Sequence, residues 1–109
     1  MPQIRIRGVK KEDIKTISKE MVDNLEKIIG CPRDYFTIEV LNSTFIQDGE
    51  ETDGYPFVEV AWFDRGQEIR DKVAEEITMR VKGVTGANVV DVAFSTFEKN
   101  SYYENGGHF

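Results

Sequence analysis

One cysteine, one histidine and three prolines are all that this 109-residue chain holds of the residue types that usually staple, metallate or interrupt a small fold. The lone Cys31 excludes an internal disulfide and suits a reducing compartment, the cytoplasm. With no histidine near it in sequence, its thiol reads as buried packing and not as a nucleophile. The lone His108 excludes a multi-histidine metal site. No apolar stretch is long enough to cross a bilayer, and the N-terminus alternates apolar and basic residues where a secretory signal would run apolar, so no membrane partner is expected. Basic charge is scarce too: 14 Lys and Arg stand against 20 Asp and Glu, a net charge of −6. An acidic chain without a basic stripe argues against a nucleic-acid partner.

What is present is a soluble globular composition, 39% hydrophobic and 31% charged. The length suits a single domain, residues 1–109, able to bury a core without metal or disulfides. Charge is uneven. Residues 1–33 carry eight Lys or Arg against five Asp or Glu, a local +3 that leaves −9 for the remainder. The acidic run "DGEETDG" at 48–54 reads as a solvated loop.

Periodicity alternates between strand and helix. "PQIRIR" has period two, with Ile4 and Ile6 on one side and Gln3, Arg5 and Arg7 on the other. Ile14, Ile17, Met21, Leu25 and Ile28 then recur at helical spacing over 11–29, and Gly30 supplies a stop. "YFTIEVL" from Tyr35 and "PFVEVAWF" from Pro56 read as strands. Ile69, Val73, Ile77 and Val81 mark a second amphipathic helix ended by "GVTG", and "NVVDVAFSTF" from Asn88 is a fourth strand before the polar tail 98–109.

The order βαβ, loop, βαβ suggests two copies of one unit, about 2–47 and 56–99. "PQIRI" matches "PFVEV" at an offset of 54, and "IEVLNSTF" from Ile38 matches "VDVAFSTF" from Val90 at an offset of 52. Each helix is long enough for a right-handed crossover, so the strands of each unit should be parallel. The expected fold is α+β, a four-stranded sheet with two helices on one face. The other face is expected to carry Phe45, Phe97 and Trp62 and to need another subunit as cover. Periodicity alone also admits a ferredoxin-like regulatory domain, with one antiparallel four-stranded sheet binding small ligands or partners.

Pro2 raises a chemical alternative. A proline is tolerated as the first residue of a strand, where its missing N–H costs no ladder bond. Methionine removal before proline would instead leave Pro2 as a free secondary amine.

A duplicated βαβ chain beginning Met-Pro resembles the tautomerase superfamily, in the branch of macrophage migration inhibitory factor and carboxymethyl-hydroxymuconate isomerase. The likeness spans the whole chain and rests on Pro2, "IIGCPRDYFTIEV", the loop before Pro56 and the aromatic tail. "VEVAWFDRG" and "SYYENGGHF" further resemble a small, uncharacterised bacterial subfamily of it. The resemblance implies a homotrimer and a cofactor-free keto-enol tautomerase or isomerase acting on a small carboxylate-bearing substrate, a 2-keto acid or its enol. Pro2 would be the general base.

An α-amine titrates near 7.7–8.0, and an apolar pocket or a nearby cation favours its neutral form. That neutral amine can take a proton from carbon and return it elsewhere. Arg65, in "FDRGQ" at the start of the second helix, is the leading candidate for holding the anion. Its competing reading is a solvated side chain beside an Asp64 cap with Gln67 completing a capping box. Arg7 is a candidate for the substrate carboxylate, set against the favoured structural reading in which Arg5 and Arg7 pair with Glu59 or Asp91 across strands. Glu39 is a secondary catalytic candidate, since some members pair the proline with an acid on the second strand to activate water. Trp62, Tyr102, Tyr103 and His108 complete the substrate-binding candidates, the tail residues by closing over a neighbouring subunit's pocket. Where the migration inhibitory factor pattern has a lysine after the first helix, this chain has Cys31. A non-enzymatic trimer in which Pro2 merely starts a strand is the alternative within the same fold.

Overall fold

The computed structural model describes residues 2–109. Strand β1 (Gln3–Arg7) leads into helix α1 (Lys11–Ile29), then β2 (Thr37–Val40), a hairpin of β3 (Phe45–Gln47) and β4 (Glu50–Thr52), β5 (Phe57–Trp62), α2 (Gln67–Thr85) and β6 (Asp91–Thr96). A small hairpin, β7 (Tyr103–Glu104) and β8 (Gly107–His108), ends the chain. Helix α1 has the expected limits. Gly30 stops it at φ 79°, donating its N–H to the Glu26 carbonyl at 2.8 Å, a left-handed turn that glycine adopts without Cβ strain. Gly86 ends α2 the same way at φ 72°.

The sheet order is β2-β1-β5-β6. Each βαβ unit pairs its own strands in parallel, β1 with β2 and β5 with β6, and the units meet through the antiparallel β1–β5 ladder. This mixed sheet rules out the wholly antiparallel ferredoxin-like arrangement. Period-two alternation puts Pro2, Ile4, Ile6, Val58, Val60 and Trp62 on the face under the helices. Ile14, Met21 and Leu25 of α1 and Val73, Ile77 and Val81 of α2 close that layer, each fully or almost fully buried. Burial of each such side chain contributes about 1.5–3 kcal/mol. Glu76 is buried between the helices and satisfied: it accepts from Asn24 at 3.1 Å and from Arg80 at 2.7 Å, and Arg80 also reaches Glu20 at 2.7 Å.

The opposite face differs from the expectation. Trp62 is not on it, because its parity is that of Val58 and Val60, and it is 0% exposed. The face is instead charged: Arg5 lies between Glu39 and Glu59 in the ladders and pairs with Glu39 at 3.2 Å, while the Arg7 guanidinium sits 4.5 Å from the centre of the Phe57 ring. An apolar surface is therefore not what calls for a partner here.

The repeat spacing also needs correction. Gln3 pairs with Thr37 and Phe57 with Asp91, so both strand pairs follow an offset of 54, and Ile38 corresponds to Val92, not Val90. The "STF" match at an offset of 52 is a coincidence of composition. The second connection is longer before its helix and shorter after it.

The segment read as a solvated loop forms the β3–β4 hairpin, turning at Asp48 (φ 51°) and Gly49 (φ 80°). Asn105 (φ 54°) and Gly106 (φ 85°) turn the β7–β8 hairpin in the same way. Two successive residues at positive φ match the twist of a two-residue hairpin.

Candidate functional site

The chain enters β1 through Pro2, whose carbonyl accepts the Thr37 N–H at 3.2 Å and so extends the parallel ladder. Its side chain is under 2% exposed. Gln3 pairs with Ala61, which brings Pro2, one residue earlier, level with Trp62 on the same helix-facing layer. The expected removal of Met1 concerns a residue outside those described.

Beyond Trp62 the chain turns through Phe63–Gly66 into α2. The expected capping box does not form. Asp64 accepts from the Gly66 N–H at 3.2 Å and from Arg70 at 2.6 Å, while Gln67 is engaged by Arg70 at 2.8 Å and Asp71 at 2.7 Å. The Arg70 hydrogen bond holds the Asp64 carboxyl below its usual pKa. With Gly66 as N-cap and no side-chain cap, the first-turn N–H groups of α2 keep the positive end of the helix dipole available.

Arg65 curls back over this corner. Its guanidinium donates to the Phe63 carbonyl and lies 5.7 Å from the centre of the Trp62 ring. Cys31 belongs to the same end: burial raises its pKa, and the nearby Arg65 charge acts in the opposite direction. A half-buried cation, an uncapped helix N-terminus and an apolar floor suit a small oxyanion. Among the described residues no group of three or more His, Cys, Asp or Glu is placed to hold a metal ion.

The other candidates are distributed differently. Arg7 and Glu39 occupy the opposite sheet face, so within one chain neither meets Pro2. Tyr102 packs on its own chain, with ring centroids 5.2 Å from Phe63 and 4.9 Å from Phe97, and Phe109 stacks 5.4 Å from Phe63. The tail thus forms an aromatic cluster at the end of β5 and β6 of its own chain. Tyr103 and His108 face each other edge to face at 5.8 Å across the terminal hairpin. Arg70 was not anticipated; its spacing after Asp64, one helical turn into α2, was the available signal. A cleft of about 920 Å³ lies at the other end of β1, between the start of α1, the chain after β2 and strand β4.

A model of the domain of unknown function DUF1904 matches residues 1–108. A crystal structure of a DUF1904 domain from Sebaldella termitidis is 45% identical, with 100% of each chain covered and a TM-score of 0.93. At 17% identity, a macrophage migration inhibitory factor-like protein from Entamoeba histolytica covers 99% of this chain and 98% of its own, with a TM-score of 0.75. A fused 4-OT described as an asymmetric trimer matches at 12% identity over 97% of this chain and 94% of its own, with a TM-score of 0.82. No curated protein matches.

Proposed function

The chain belongs to the DUF1904 family and has the fold of the tautomerase superfamily, and from that premise we propose that it is a cofactor-free keto-enol tautomerase of a small 2-keto acid or its enol. Pro2, freed by removal of Met1, is the general base. The observation that carries this reading is the company Pro2 keeps: fully buried, level with Trp62, at the end of the sheet where Arg65 lies over the Trp62 ring.

The reading requires the freed Pro2 nitrogen to act as the neutral amine, the form that burial favours. The neutral amine takes a proton from the substrate. The electron pair left behind moves through the carbon framework onto the carbonyl oxygen, and the resulting ammonium returns its proton to a different atom. Arg65 and the α2 N-terminus hold the carboxylate during both transfers.

The assembly is a homotrimer, as in the fused 4-OT structure. The expected sheet packing between copies would bury the charged face, on which Arg5, Arg7, Glu39 and Glu59 lie. Only through such a neighbour do Arg7 and Glu39 reach a Pro2 site, and Tyr102, Tyr103 and His108 border the site from the tail.

The intact mass tests the premise and kinetics test the roles. A mass lacking one methionine, with turnover of phenylpyruvate enol that falls in both Pro2→Ala and Arg65→Ala, is expected. Unchanged rates in both variants would refute the assignment. A retained methionine makes the Pro2 nitrogen an amide without basicity, and the protein is then a non-enzymatic trimer of the same fold.

A further inference from the structure

Trp62 is 0% exposed, and its indole N–H has no acceptor among the described residues. Leaving a buried donor unpaired costs about 1–3 kcal/mol. Phenylalanine would fill most of this space without that cost, and the chain uses phenylalanine at seven other positions. The second buried donor without a partner, Nε of Arg70, is in the same corner: Arg70 lies 6.0 Å from the centre of the Phe94 ring, and that ring is 5.1 Å from Trp62. Both unpaired donors therefore cluster where Pro2, Arg65 and the uncapped start of α2 meet. Neither is at the Pro56 end of the sheet.

We propose that the Trp62 indole N–H is the hydrogen-bond donor to the substrate oxygen that becomes negative when Pro2 removes a proton. This assignment rests on the tautomerase reading and adds a catalytic residue to it. Arg65 takes the carboxylate, and the indole takes the adjacent carbonyl oxygen. As the C–H bond breaks, its electron pair forms the C–C double bond and the carbonyl π pair moves to oxygen. The proton resides on the Pro2 nitrogen. The indole keeps its own hydrogen throughout and strengthens its bond as charge develops, so its contribution is greater in the transition state than in the ground state. The substrate must then carry two oxygen functions on adjacent carbons, as a 2-oxo acid does.

Trp62 is the single tryptophan, so a ¹⁵N-labelled sample gives a single indole N–H signal. Oxalate, a stable mimic of a 2-oxo acid enolate, should move that proton downfield at saturation, whereas acetate, which lacks the second oxygen function, should leave it in place. Trp62→Phe should lower kcat by about 10²-fold with little change in KM, the pattern of a lost oxyanion donor. An indole signal unmoved by oxalate, or wild-type kcat in a folded Trp62→Phe protein, overturns the assignment. The two readings fail separately. Pro2-dependent turnover with an unmoved indole removes only the donor role, whereas an oxalate-shifted indole without any turnover supports the oxyanion site and removes the tautomerase.

Discussion

The two ends of the central β1–β5 ladder are built alike. At one end the Pro2 carbonyl accepts the Thr37 N–H at 3.2 Å, and at the other the Pro56 carbonyl accepts the Asp91 N–H at 3.1 Å. Where the strands run out, Leu41 donates to Ile6 and Phe97 to Trp62, both at 2.7 Å. Yet position 62, level with Pro2, holds a buried tryptophan, whereas its counterpart, position 8, level with Pro56, holds glycine at φ 78°. A Cβ at Gly8 would lie 2.4 Å from the Tyr55 carbonyl oxygen, so the chain closes over the spot where the first end places an aromatic donor. Pro56 is also internal, and its nitrogen is always an amide. One backbone plan thus serves two ends, and their side chains differ: a buried tryptophan stands level with Pro2 and a glycine level with Pro56.

The sharpest way to break the comparison is to swap alanine into both prolines. Pro2→Ala should lower turnover by about 10²- to 10⁴-fold, the usual worth of a positioned general base. Pro56→Ala should leave turnover near wild type, as steady-state assays on the same enol will show. The next largest effect is on stability: Trp62→Ala should cost about 3–5 kcal/mol in urea denaturation through loss of a fully buried ring. Gly8→Ala should cost about 1–3 kcal/mol for the backbone conformation alone, with the clash against Tyr55 adding to it, and should spare the Pro2 site.

The smallest effect is a pH dependence. The Asp64 pKa is lowered in the folded state by Arg70, so its contribution is complete above the unfolded carboxyl value of about 3.9 and is lost as pH falls through the folded value. Asp64→Asn should flatten that acid limb of the denaturation midpoint without altering turnover at neutral pH.

Much of this architecture is legible in the residues. Helix limits at Lys11–Ile29 follow from the spacing of Ile14 to Ile28 and the stop at Gly30, because amphipathic period and cap chemistry agree. The side of the sheet on which Trp62 lies is also legible, since it continues the alternation of Val58 and Val60; size alone misdirects it to the open face. The hairpins at Asp48-Gly49 and Asn105-Gly106 carry the strongest short-range turn signal there is, masked by charge in one case and by a polar tail in the other.

Other features depend on contacts that no local pattern encodes. The Phe63–Phe97–Tyr102–Phe109 cluster brings together the residues just after β5 and β6 and residues of the terminus. Asp64 and Gln67 have capping-box spacing, but Arg70 competes for both. Pro2 comes level with Trp62 only because β1 and β5 run antiparallel.

That antiparallel ladder has its middle pair at Arg5 and Glu59, with two pairs on either side. A rotation about this centre exchanges the two βαβ units, so nothing in the geometry of the seam requires both to belong to one polypeptide. The connection through β3 and β4 sets local concentration and not register. A cut at the Asp48-Gly49 turn would leave one βαβ unit on each fragment, with the β1–β5 ladder as the seam between them.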